Sequence, residues 1–95
     1  MPNLDKLIAQ SKKAYVEIAT AYDAADINQK IALSDSVQKA QSTLVALQTA
    51  NLAQSVTVTD ADLAEMSRLR AKINNAAELQ SAIEGIISLV SKFLV

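Results

Sequence analysis

The residues able to do chemistry are few. The chain has no cysteine and no histidine, which excludes thiolate nucleophiles, disulfides, imidazole bases and the commonest metal ligands. Acids, lysines, arginines and serines remain. Asp23 with Asp26, and Asp60 with Asp62 and Glu65, are the groupings a hard cation would want. Their spacing lacks the glycine-bearing twelve-residue loop of a calcium hand, and a Glu-x-x-His ligand pair cannot be written without histidine. Helix capping and pairing with the positive end of the helix dipole account for all five.

Arg68, Arg70 and Lys72 crowd three cations into five residues, a pattern that could meet phosphate or an acidic partner. On a helix, Arg68 and Lys72 share a face one turn apart while Arg70 points elsewhere, and Glu65 can pair with Arg68 at i+3. The net charge is −1. These residues read as a solvated helix face, and nucleic-acid binding, which needs a clustered positive surface, is not expected. A serine nucleophile would need a lysine or carboxylate base held in a cleft, and a glycosidase-type carboxylate pair a groove wide enough for sugar. One glycine and one proline leave no material for a phosphate-cradling loop. The expectation is therefore a non-enzymatic protein with no catalytic residues, no cofactor and no metal.

The elements that would position these groups are helices. Ninety-five residues, 51% of them apolar and 20% charged, suit one domain over 1–95 with a packed core. Alanine and leucine dominate the apolar residues, and both lose little side-chain freedom in a helix. The only aromatics are Tyr15, Tyr22 and Phe93, so deep anchors are scarce and burial by self-association would help. The N-terminal residues are polar, and no run approaches the roughly 18 uncharged apolar residues of a membrane span. A cytoplasmic protein is the expectation.

Periodicity predicts a helix over 3–24, capped by Asn3, with Leu4, Leu7, Ile8, Tyr15, Ile18, Ala19 and Tyr22 as its stripe. After a tight turn, Asp26 and Gln29 have capping-box spacing. A second helix is predicted over 27–53. Leu33, Val37, Ala40, Leu44 and Leu47 form its seam, widened by Ile27, Ile31, Val45 and Leu52. Ser34-Asp35-Ser36 is its weak point. Residues 54–59 read as an extended connector. Thr59 and Asp62 then form a capping box, with Val58 and Leu63 at the staple positions.

From there Met66, Leu69, Ile73, Ala76, Gln80, Ile83, Ile87, Val90 and Leu94 hold one 3-4 register. One long third helix is predicted, with a break at Asn74-Asn75 as the alternative. The fold expected is an all-α antiparallel helical bundle of three long helices, or four if the third breaks at that pair.

In the last segment Ile86, Ile87, Leu89, Val90, Phe93 and Leu94 cover an arc of roughly 160° on a helical wheel. A helix of about 35 residues would run roughly 20 Å beyond the first and leave that arc partly uncovered. Hence the predicted interaction surface of Ile83, Ile86, Ile87, Val90, Phe93 and Leu94, joined by Tyr15 and Tyr22, which sit seven residues apart on one face and suit an interface rim. The function expected is protein–protein interaction, as an adaptor, an inhibitor or immunity protein, or an accessory subunit. The protein would self-associate as a homodimer. The alternative is a peripheral membrane protein using the C-terminal segment, although such helices usually carry several lysines or arginines and this one has only Lys92.

Overall fold

The computed structural model describes residues 2–49 and 57–94. They form four helices: α1 over Pro2–Ala24, α2 over Ile27–Thr49, α3 over Asp60–Ile73 and α4 over Leu79–Ser91. The all-α bundle is as expected, in its four-helix form. The predicted residues 50–53 of the second helix, including Leu52, and residues 54–56 of the connector lie outside the described residues.

Each local start has a chemical cause. Pro2 begins α1, where its fixed φ suits the first turn. Asn3 is therefore inside the helix and not its cap; its side-chain amide donates instead to the Val58 carbonyl at 2.9 Å and to Asp60 Oδ1 at 3.1 Å. Asp26 caps α2 by accepting from the Gln29 backbone N–H at 2.8 Å. The reciprocal half of that box is absent, because the Gln29 side chain donates to the Ala76 carbonyl at 3.2 Å. Thr59 makes the full box: its hydroxyl accepts from Asp62 N–H at 3.1 Å, and Asp62 Oδ2 accepts from Thr59 N–H at 3.0 Å.

The long third helix does not form. Lys72 and Asn75 turn the chain: Asn75 N–H donates to the Lys72 carbonyl at 3.0 Å, and Asn75 Oδ1 takes Ala77 N–H at 3.0 Å. A side chain that offers the backbone this alternative partner competes with helix. The apolar phase slips across the turn. Met66, Leu69 and Ile73 are buried before it, and Leu79, Ala82, Ile83 and Ile86 after it, while Ala76 and Gln80 are exposed. The continuous 3-4 register was a coincidence carried by two residues that face water.

The break turns α3 and α4 into a hairpin. Asn3 meets Asp60, Gln10 meets Ser67 and Glu17 meets Arg70, so α1 and α3 advance in the same direction. The α1–α2 and α3–α4 hairpins stack side by side, with α1 against α3 and α2 against α4. Gly85 lets the short hairpin close: a Cβ there would lie 2.6 Å from Leu69 Cδ2. At 1.5 Å per residue α1 and α2 are each about 34 Å long, and α3 and α4 about 20 Å. Neither α3 nor α4 is long enough to project past the first hairpin as the single long helix would.

The core runs through the middle of all four helices and includes Leu7, Ile18, Leu33, Leu44, Met66 and Ile86. Ser11, the one buried polar residue among those described, is satisfied by donating to the Leu7 carbonyl at 2.9 Å. Ile27, Ile31 and Val45 do not widen the α2 seam; they are 70%, 71% and 43% exposed. Their direction is set by α1 and α4, which both pack on the Leu33–Leu47 side. Ile86→Ala is expected to lower the unfolding free energy by about 2–5 kcal/mol, and Ile31→Ala by less than about 1 kcal/mol. Urea denaturation of the two variants checks the contrast.

Candidate interaction surface

Most of the charged groups singled out by type are used within the fold. Asp26 and Asp62 cap helices, and among the described residues no three acidic side chains converge as a metal site would require. Arg68 pairs with Glu65 on the exposed face of α3, with Nε 3.1 Å from Oε2. That contact lowers the Glu65 pKa and raises that of Arg68. The backbone N–H of Thr59, its hydroxyl and the Lys92 ammonium 3.4 Å away hold the Asp62 carboxyl below its ordinary value.

Arg70 is not solvated as expected. It is half-buried and forks onto Glu17, with Nε to Oε1 at 2.7 Å and Nη2 to Oε2 at 3.3 Å. This is the top rung of a polar ladder between α1 and α3. Below it Ser67 donates to Gln10 Oε1 at 3.1 Å, and Asn3 bonds to Asp60. The signal available was the seven-residue spacing of Asn3, Gln10 and Glu17.

The predicted surface residues divide. Ile83, Ile86, Val90 and Phe93 are in the core, Phe93 only 6% exposed. Ile87, Leu94, Tyr15 and Tyr22 are half-buried at its margin. The C-terminal arc is covered by the chain's own α2 and α3, because α4 folds back instead of projecting. No described helix is long and apolar enough to cross a membrane.

The apolar surface that does face water lies on the first hairpin. Ile27 and Ile31 stand one turn apart on α2, and the same side continues through Ser34, Gln38, Ser42 and Val45 without a charge. Beside it a shallow groove is lined by Tyr15 of α1 with Gln38, Gln41, Ser42, Val45 and Ala46 of α2. Tyr15 thus borders this groove, and Tyr22 borders a neighbouring one lined by Ser34, Val37, Gln38 and Gln41, so both tyrosines lie against α2.

Comparison with protein-family models, curated proteins and solved structures finds no match.

A second concavity of about 400 Å³ opens where α1 outruns α3, between Val16, Thr20 and Ala24 on one wall and Ile73, Ala76 and Leu79 on the other. Two of the polar groups lining it are already engaged, Glu17 by Arg70 and Gln29 by the Ala76 carbonyl.

Two outcomes follow from these contacts. Arg70→Ala should cost about 1–2 kcal/mol, since it leaves Glu17 half-buried and unpaired, whereas Arg68→Ala, whose ion pair is open to water, should melt close to the parent chain; thermal unfolding separates them. The depressed Asp62 pKa contributes stability that is full above the unfolded value of about 3.9 and is lost as pH falls through the lower folded value. Asp62→Asn should therefore lose less stability than the parent chain between about pH 4 and pH 2, in acid titrations followed by circular dichroism.

Proposed function

We propose that this is a non-catalytic protein–protein interaction module that self-associates through the outer face of its α1–α2 hairpin and serves as an adaptor, inhibitor or accessory subunit. The observation that supports it is the exposed, uncharged stripe on α2 headed by Ile27 and Ile31, at 70% and 71% exposure. Single exposed apolar residues need no explanation, but a run along one helix face, free of charge and bordered by two tyrosines, has the composition of an interface centre. Charge is kept for the flanks, at Lys30, Asp35 and Lys39. Tyrosine at the margin suits a partner that buries the ring and leaves the hydroxyl wet.

The interacting face differs from the C-terminal one the sequence suggested, and so does its reason. Excess apolar surface arises because α2 carries two apolar stripes and the bundle uses one. Light scattering at about 50 µM, where a dimer with a Kd near 1 µM is largely assembled, should give twice the chain mass of 10.1 kDa. Ile31→Asp should return the mass to that of one chain with its helical circular dichroism intact, since the side chain is outside the core. A parent chain that stays monomeric at this concentration would overturn the reading.

A further inference from the structure

The exposed stripe of α2 is close to palindromic. Gln38 is its centre, with Ser34 and Ser42 four residues to either side and the β-branched Ile31 and Val45 seven residues to either side. A heptad-spaced stripe of this kind reads the same in both directions. We propose that its occupant is the α2 of a second copy, packed antiparallel about a two-fold axis that passes beside Gln38. This rests on the self-association proposed above and adds its geometry.

The pairing follows from symmetry. A two-fold axis perpendicular to two antiparallel helices places a residue n positions before the centre opposite the residue n positions after it. Ile31 then meets the partner's Val45, Ser34 the partner's Ser42, and Gln38 the partner's Gln38, whose amide can both donate and accept. Apolar pairs sit at the two ends and small or amide side chains at the dyad, which lets the backbones approach. The groove bordered by Tyr15 and Val45 lies level with the partner's Ile31 and receives it, and the reciprocal groove does the same.

Charge selects the same register. Asp35 and Lys39 lie on one flank of the stripe, both exposed, and the two-fold axis brings like flanks together. Asp35 therefore faces the partner's Lys39 with an axial offset of about 3 Å, the mirror pair forms on the other side of the dyad, and these two attractions outnumber the one Lys39–Lys39 approach at the same offset. In a parallel arrangement about the same stripe, the two-fold axis would run along the helices and put the two Asp35–Lys39 flanks on opposite sides of the seam, so neither pair could form. The antiparallel arrangement also opposes the two helix dipoles.

The absence of native cysteine makes the geometry directly testable, because one introduced thiol is the only one present. Gln38→Cys should cross-link to a dimer under a mild oxidant, since the two copies meet at the axis. Val45→Cys should not, since its copies would stand about 21 Å apart along the helices, beyond disulfide reach. Asp35→Lys should weaken dimerisation about tenfold by leaving only lysines along the shared flank, and adding Lys39→Asp should restore it. All four positions are exposed, and circular dichroism checks that the variants stay folded. A dimer by light scattering in which Gln38→Cys fails to cross-link, Val45→Cys links as readily, or the charge swap restores nothing overturns this geometry and leaves self-association standing. A chain that never dimerises overturns both.

Discussion

The turn at Asn75 is the constraint on which the rest of the bundle depends. Without it, the residues of α3 and α4 would make one rod of about 50 Å, much longer than α1 or α2 and greasy along its distal half. By accepting Ala77 N–H on its side-chain oxygen, Asn75 offers the chain a route out of helix where no glycine or proline does so. The fold-back places α4, the most apolar helix, in the fourth corner against both α2 and α3. Leu79, Ile83, Ile86 and Val90 then complete the interior from the side that three helices would leave open. Lys92, reaching from beyond α4 to Asp62, ties the end of the hairpin to the cap that began it.

Closing that corner decides which apolar surface is left over. The inward side of α2 is satisfied twice, by α1 and by α4. A helix with apolar residues on both sides can direct only one set into a bundle of this size. The outer set, Ile27, Ile31 and Val45, is what α2 leaves in water, and with Val16 of α1 it lies on the long hairpin. The hydrophobic effect therefore acts at two scales. It drives the four helices together, and its residue on α2 is available to drive two chains together.

The local features were legible because local physics sets them. Thr59 and Asp62 with Val58 and Leu63 form a box and staple within six residues, and no distant contact is needed to find them. The stripes of α1 and the inner stripe of α2 were equally plain. The break was obscured because Ala76 and Gln80 happened to continue a 3-4 spacing across it, and periodicity cannot say that a small or polar residue in phase will face water. The outward direction of Ile31 was beyond any local rule, since it depends on which stripe the neighbouring helices occupy. The Arg70–Glu17 pair spans 53 positions, and nothing near Arg70 hints at its partner. For the proposed surface, the tyrosines were in view as rim residues, but the exposed apolar residues beside them lie on α2, and their outward direction depends on the neighbouring helices.

The ladder between α1 and α3 works as a vernier. Leu7 and Ala14, like Ser11 and Ile18, repeat at seven residues, so α1 could slide one heptad along α3 and still present grease to grease. The rungs would not survive the slide. Shifted one way, Ala24 would stand where Glu17 now meets Arg70; shifted the other, Gln10 would. Either misalignment breaks the fork between Arg70 and Glu17, at a cost of about 1–2 kcal/mol. Oily contact thus commits these two helices to lie together, and three polar side chains on α1 decide how far along.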